Sequence, residues 1–432
     1  MGMEQKLQLA LDFTIAKRAL QVAREAASVG VDWIEAGTPL IKSEGMEVVR
    51  MLKREFPRHK IVADMKIADV GGMEVEIAAK AGADIVTIMG VSDDGTISEG
   101  VLSARQYGAE IMVDLISVRD KVKRAKEAEE MGARYLCVHV GVDQQMRGES
   151  PIKELREVSR AVNIPVAAAG GLNSETIPEV MEAGASIIIV GGAITKARDP
   201  AEATRLIRKA MQERAPVRTE LFKKYGEKEL FEAFSKVSTP NIADAQHKKG
   251  VMVGIVPRIR HGTRMVGRAL TVQTVNGDWA KPVEAVDRAE PGTVIVVDAS
   301  GGNVAVWGEL ASWSAHYRGV SGVVIDGASR DIDSILDIPL PLFTRHIAPN
   351  AGEPKGFGQI GVEIVCGGQI VRTGDWIIGD ESGVIVVPQE KAVEIANRAI
   401  DVMERENRIR EEIKRGGTLS SVSELEKWEK VG

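Results

Sequence analysis

The chain has 432 residues and a formal net charge of −6, which suits two domains of roughly 200 residues each and excludes nucleic-acid binding through a basic surface. Its two cysteines, Cys137 and Cys366, lack zinc-site spacing and a structural disulfide is not expected, which fits a reducing compartment. No apolar run reaches the ~20 residues of a membrane span, and Met1–Lys6 begin no signal peptide, so the expectation is a soluble cytoplasmic protein without nucleic-acid or membrane partners.

In chain order, short apolar strands are predicted at Leu7–Asp12, Val31–Ala36, Lys60–Asp64, Asp84–Met89, Glu110–Asp114, Tyr135–His139, Ile164–Ala169 and Ser186–Val190. Apolar residues at three- and four-residue spacing mark helices between them, as in Ile15–Ser28 and Lys121–Met131. Gly30, Gly82, Gly108, Gly132 and Gly184 stand where helices end before the next strand. Eight strand–helix units at about 25-residue spacing predict a (β/α)8 TIM barrel over residues 1–212.

The repeat stops near Met211–Glu213, and residues 213–228 read as a charged linker, helical or extended. A second α/β domain is predicted over residues 229–405. Its strands are expected at Ala269–Val275, Thr293–Asp298, Gly322–Asp326, Leu340–Thr344, Trp376–Gly379 and Val384–Pro388. Helices are expected at Ile242–Lys249, Lys281–Ala289, Gly308–Arg318 and Gln389–Glu412. Residues 406–432 form a helical and polar tail, broken at Gly416-Gly417.

The barrel strands end in an acidic set: Asp12, Glu35, Asp64 with Lys66 and Asp69 just beyond, Asp114, and His139. In a barrel all of these face the C-terminal mouth. Carboxylates converging there repel one another unless a cation joins them, so bound Mg²⁺ is the economical reading. The bland alternative, Asp12 and Asp114 as helix caps, does not account for the whole set. Lys66 lies between two carboxylates, which favour its charged form; it reads as an ammonium for an enolate oxygen, not as a Schiff-base amine. His139 suits proton transfer. Gly170-Gly171 and Gly191-Gly192 end the last two strands, where barrels bind phosphate. The mouth thus suggests a sugar phosphate held by its tail.

The segments Leu9–Asp12, Ile34–Ile41, Ala63–Asp69, Val138-His139 and Ala169–Gly171 resemble the orotidine-monophosphate-decarboxylase-like barrel group, in its 3-hexulose-6-phosphate synthase branch. The resemblance covers about residues 5–210. It implies Mg²⁺ on Glu35 and Asp64, and a dimer in which Asp69 reaches the neighbour's site. It also implies a reversible aldol reaction of formaldehyde with ribulose 5-phosphate through an enediolate, with His139, or a carboxylate acting with it, as the base. The competing branch, 3-keto-gulonate-6-phosphate decarboxylase, usually has Glu and Arg where this chain has Asp114 and Val142; the pattern here resembles the synthase.

In the second domain, Gly308 is expected at a helix start and Arg330 just past the following strand, a carboxylate clamp beside a metal-binding Asp331. The plain alternative is an Arg–Asp pair closing a loop. Ser238–Asp244, Trp307–Leu310, Gly322–Gly327, Arg330-Asp331 and Gly374–Asp380 resemble the RraA-like fold, a group that includes class II pyruvate aldolases and a ribonuclease regulator. That likeness implies substrate contacts from Gly308, Glu309, Leu310 and Arg330, with a divalent metal on Asp331. The aldolases typically carry an acid where Ser334 stands, so the role is either a metal-dependent lyase or a regulatory and assembly module. RraA-like trimers joined to barrel dimers predict a larger homo-oligomer, such as a hexamer.

Overall fold

The structure, a computed structural model, describes residues 5–423 and 425. Eight parallel strands close a barrel: β1 (Lys6–Leu11), β2 (Trp33–Ala36), β3 (Lys60–Ile67), β4 (Ile85–Met89), β5 (Glu110–Asp114), β6 (Tyr135–His139), β7 (Val166–Ala169) and β8 (Ile187–Val190). The ring shuts where β1 pairs with β8, Lys6 opposite Ile187. Each predicted barrel strand is found; β5 and β6 have the expected bounds, and the ends that differ elsewhere do so by one to three residues.

The two-residue period of a strand explains what the barrel holds. Leu7, Leu9, Leu11, Ile34, Ala36, Ile61 and Ala63 pack with the surrounding helices in the large outer core. Their neighbours face inward. Ala10, Trp33, Val62, Ile85, Met112, Tyr135 and Cys137 form the inner core. One step further along the same inward rows come Asp12, Glu35, Asp64, Thr87, Asp114 and His139. An apolar plug therefore sits beneath a polar mouth, the arrangement in which barrels place chemistry at the C-terminal ends of strands.

Contact between residues divides the chain into two units, the first holding the described residues up to Lys224 and those from Glu404 on, the second Tyr225–Met403. The division falls near, though not at, the expected boundaries of 212 and 405. Residues beyond Glu404 group with the barrel because Arg408, 3% exposed, donates to the Arg198 carbonyl at 3.1 Å, while Arg18 pairs with Glu412 at 3.0 Å. The charged stretch 214–226 contains no helix. The tail after Ser423 lies outside the described residues apart from Leu425.

The second unit contains β9 (Val256–Arg258), β10 (Met265–Gln273), β11 (Thr293–Asp298), β12 (Ala305–Trp307), β13 (Gly322–Ser329), β14 (Leu342–Ile347), β15 (Gln359–Ile360), β16 (Ile364–Cys366), β17 (Gln369–Val371), β18 (Trp376–Asp380) and β19 (Gly383–Val387). Its mixed sheet runs β19-β18-β10-β11-β13-β14-β9, with β12 on β13 and β15 on β10. β9, β12, β15, β16 and β17 are unpredicted, because strands of two or three residues show no readable periodicity.

Candidate active site at the barrel mouth

Lys66 is the hub of the mouth. The register between β3 and β4 shifts between Ala63 and Ile67, and Lys66 has a φ of 47°, a left-handed conformation unusual for a lysine. This bulge brings Asp64 and Lys66 into the same interior. The Lys66 ammonium lies 2.9 Å from Asp114 Oδ2 and 3.1 Å from Asp64 Oδ2. Burial pulls its pKa down, but Asp114 and Asp64 outweigh that and raise it above the ordinary lysine value. It is held as a cation, which removes Schiff-base chemistry at neutral pH.

Asp114 links Lys66 to His139. Its Oδ2 lies 2.9 Å from His139 Nδ1, and its Oδ1 accepts from the Ile116 N–H at 2.9 Å. Burial raises the Asp114 carboxyl, yet His139 and Lys66 together bring it well below the usual carboxylate range. With Asp114 ionised, the network assigns the His139 proton to Nδ1 and leaves Nε2 as the basic nitrogen.

Asp64 accepts from Thr38 Oγ1 and Thr87 Oγ1, each at 2.7 Å, as well as from Lys66. A carboxylate offers about four lone-pair positions, so roughly one remains for a ligand. Glu35 is different. It is buried, its Oε2 accepts from Gln8 Nε2, and burial together with the charges of Asp64 and Asp12 raises its carboxyl well above the ordinary value. The buried Gln8 Oε1 has no hydrogen-bond partner among the described residues. Asp12 is reached by solvent, but protein surrounds it closely enough for lost hydration, and then Asp64, to raise it as well. A side chain at Gly37 would strike Asp12 Oδ1 at 2.3 Å, so the glycine makes room for that carboxylate.

Glu35, which forms no ion pair among the described residues, and Asp64, which keeps about one lone-pair position, offer hard oxygen donors that would fit a divalent ion such as Mg²⁺. A second set, Asp114, Cys137 and His139, has ligand atoms within 4.8 Å of one another. Burial pushes the Cys137 thiol well above its usual value, so it stays protonated and is a poor ligand.

The predicted phosphate glycines end β7 and β8, and Gly192 opens a short helix, Gly192–Thr195. Asp69 is not brought to the cluster; it is exposed and accepts from its neighbour, the Val70 N–H, at 2.8 Å. Gln8, Thr38 and Thr87 were not predicted. The inward parity of β1 and β4 points to Gln8 and Thr87, whereas nothing in the spacing singles out Thr38.

In the second unit, Gly308, Glu309, Arg330 and Asp331 do come together. Asp331 Oδ2 accepts from the Glu309 N–H at 3.3 Å and lies 3.4 Å from Arg330 Nε. The chain's own carboxylate thus sits at the helix start where a substrate carboxylate was expected. Leu310 projects outward, 82% exposed.

Residues 5–207 match the family model described as orotidine 5'-phosphate decarboxylase / HUMPS family. The 3-hexulose-6-phosphate synthase of Bacillus subtilis (strain 168) is 42% identical over 198 residues, covering 46% of this chain and 94% of that protein. The chain belongs to the orotidine 5'-phosphate decarboxylase / HUMPS family. The 3-hexulose-6-phosphate synthase of Mycobacterium gastri is 41% identical over 206 residues, covering 48% of this chain and 99% of that one. A crystal structure of 3-hexulose-6-phosphate synthase from Salmonella typhimurium shares 37% identity over 49% of this chain and 100% of its own, with a TM-score of 0.47. Beyond the HUMPS-family barrel, residues 239–386 match the family model described as Aldolase/RraA. The chain is a fusion of the two. Among the described residues no helix is long and apolar enough to cross a membrane.

Proposed function

We propose that the barrel is a 3-hexulose-6-phosphate synthase, an aldehyde-lyase joining formaldehyde to C1 of D-ribulose 5-phosphate in a reversible aldol reaction. The observation that carries this is the continuous chain Asp64–Lys66–Asp114–His139, each member within hydrogen-bond reach of the next. His139 Nε2 takes a proton from C1 of the ketose, and Asp114 holds the ring's tautomer and balances the imidazolium that results. Lys66, fixed as an ammonium, stabilises the enediolate oxygen. The C1 carbanion equivalent then bonds to the formaldehyde carbon, and the new alkoxide takes up a proton, so that all atoms of both substrates are kept in the hexulose phosphate. Mg²⁺ on Glu35 and Asp64, when bound, supplies Lewis-acid polarisation of the ketose oxygens. Gly170, Gly171, Gly191 and Gly192 hold the phosphate, Asp12 lies at the reacting end, and Asp69 serves a neighbouring barrel.

The synthase reading is preferred to the keto-gulonate-phosphate decarboxylase reading on Asp114, whose short side chain is spent on Lys66 and His139, and on Val142, which offers no cation to a departing carboxylate. For the RraA-like domain we propose an assembly or regulatory role. Asp331 already occupies the helix start, and the Arg330–Asp331 pair is half-exposed. The test is formaldehyde release from hexulose 6-phosphate by wild type, Asp64→Ala and Lys66→Ala. Loss of release in both variants supports the assignment; undiminished release in either refutes it.

A further inference from the structure

The chain does not leave the barrel after its last helix, Pro200–Glu213. Residues 214–224 are tied to the loop that follows the Gly170-Gly171 pair. Val217 N–H donates to the Ser174 carbonyl at 3.1 Å, and Ser174 Oγ donates to the Val217 carbonyl at 2.7 Å. Thr219 N–H donates to Glu175 Oε1 at 2.8 Å, and Phe222 N–H to Glu404 Oε1 at 2.7 Å. Phe222 is buried against the other phosphate glycine pair: a Cβ on Gly192 would lie 2.2 Å from its ring. The absence of a side chain at 192 is what admits the phenyl group. Phe222 itself has a φ of 56°, strain that a bulky residue keeps only where its surroundings impose it.

Two ammonium groups flank this ring. Lys224 Nζ lies 4.3 Å from its centroid and 3.8 Å from Met146 Sδ, in the short helix that follows β6. Lys196 Nζ lies 5.1 Å from the same centroid and is close enough to Asp12 for its charge to lower that carboxyl. The rest of the mouth is acidic, and Lys66 is committed to Asp64 and Asp114. An anionic substrate tail therefore needs positive charge at this end of the mouth. Lys224 lies outside the family match, which ends at residue 207.

We infer that residues 214–224 are a working part of the barrel's binding site, in which Lys224, with Lys196, holds the substrate's phosphate and Phe222 positions the two ammonium groups at the Gly191-Gly192 rim. This rests on the sugar-phosphate reading proposed above. Cation–π contact with one ring keeps both lysines near the Gly191-Gly192 pair.

The full chain, carrying Lys224→Gln, Lys224→Arg or no substitution, tests this in two ways. The first is steady-state turnover of ribulose 5-phosphate with formaldehyde. The second is binding of inorganic phosphate, read by calorimetry and needing no turnover. Lys224→Gln should raise KM roughly tenfold or more while changing kcat less than about threefold, and should weaken phosphate binding by a similar factor, with Lys224→Arg restoring most of both. If wild type condenses nothing but phosphate binding still falls in Lys224→Gln, the reaction assignment fails and the inference stands. Equal KM and equal phosphate affinity in Lys224→Gln and wild type would overturn it, as would a loss of kcat alone or wild type that binds no phosphate. Circular dichroism and thermal unfolding of each variant separate lost binding from lost folding.

Discussion

The barrel mouth and the Gly308–Asp331 region both place an aspartate beside a cation near a strand end, yet they treat charge in opposite ways. In the mouth, Asp64 and Asp114 are buried and share one lysine, while neighbouring Glu35 forms no ion pair among the described residues. In the second unit, Arg330 and Asp331 keep 44% and 39% of their side-chain surface in solvent. The lesson is that a charged pair alone is weak evidence for chemistry. What distinguishes the mouth is that charges are removed from water and made to depend on one another.

The largest effect is expected at Lys66. Lys66→Ala should lower kcat by about a thousandfold or more and also destabilise the fold by roughly 3–5 kcal/mol, since it strands two buried carboxylates. Kinetics with parallel denaturant unfolding measure both, and a stable, active variant would show that the mouth's charges are as independent as the surface pair. His139→Asn should cost about a hundredfold to a thousandfold in kcat with little loss of stability. Proton exchange at C1 of ribulose 5-phosphate in heavy water, followed by NMR, should be lost with it.

Glu35 sharpens the contrast through pH. In the unfolded chain it loses its proton at pH ~4.3, whereas in the fold it keeps it to higher pH. The folded state therefore binds more protons across that interval, and stability falls as pH rises from the unfolded value through the folded one. Glu35→Gln removes this fall and can donate to the orphaned Gln8 Oε1. It should be more stable than wild type at pH 8 by about 1–3 kcal/mol while losing activity. Mg²⁺ should raise the Tm of wild type at pH 8 and leave Glu35→Gln little changed. The smallest effect is expected at the exposed pair: Arg330→Ala should alter stability by less than about 1 kcal/mol and leave barrel turnover intact.

Much of the barrel was legible because burial on both faces writes long apolar strands, and because inward parity carries to each strand's last residue. Asp12, Glu35, Asp64, Asp114 and His139 could be read as one face on that basis alone. The bulge at Lys66 could not, since it arises from pairing between β3 and β4 that no local pattern encodes. Thr38 and Phe222 were invisible for a similar reason. Each acts through a neighbour distant in sequence, Thr38 on Asp64 and Phe222 on Gly192. In the second unit, strands of two or three residues fall below any period, and Asp331 filling the helix start depends on a left-handed turn at that residue.

The proposed reaction forms a carbon–carbon bond between formaldehyde and ribulose 5-phosphate. The most direct measurement is ¹³C NMR of the full chain with ¹³C-formaldehyde, ribulose 5-phosphate and Mg²⁺. The prediction is label at C1 of a hexulose 6-phosphate, absent with Lys66→Ala. No incorporation by wild type, together with release of carbon dioxide from 3-keto-gulonate 6-phosphate, would make the barrel a decarboxylase and not a synthase.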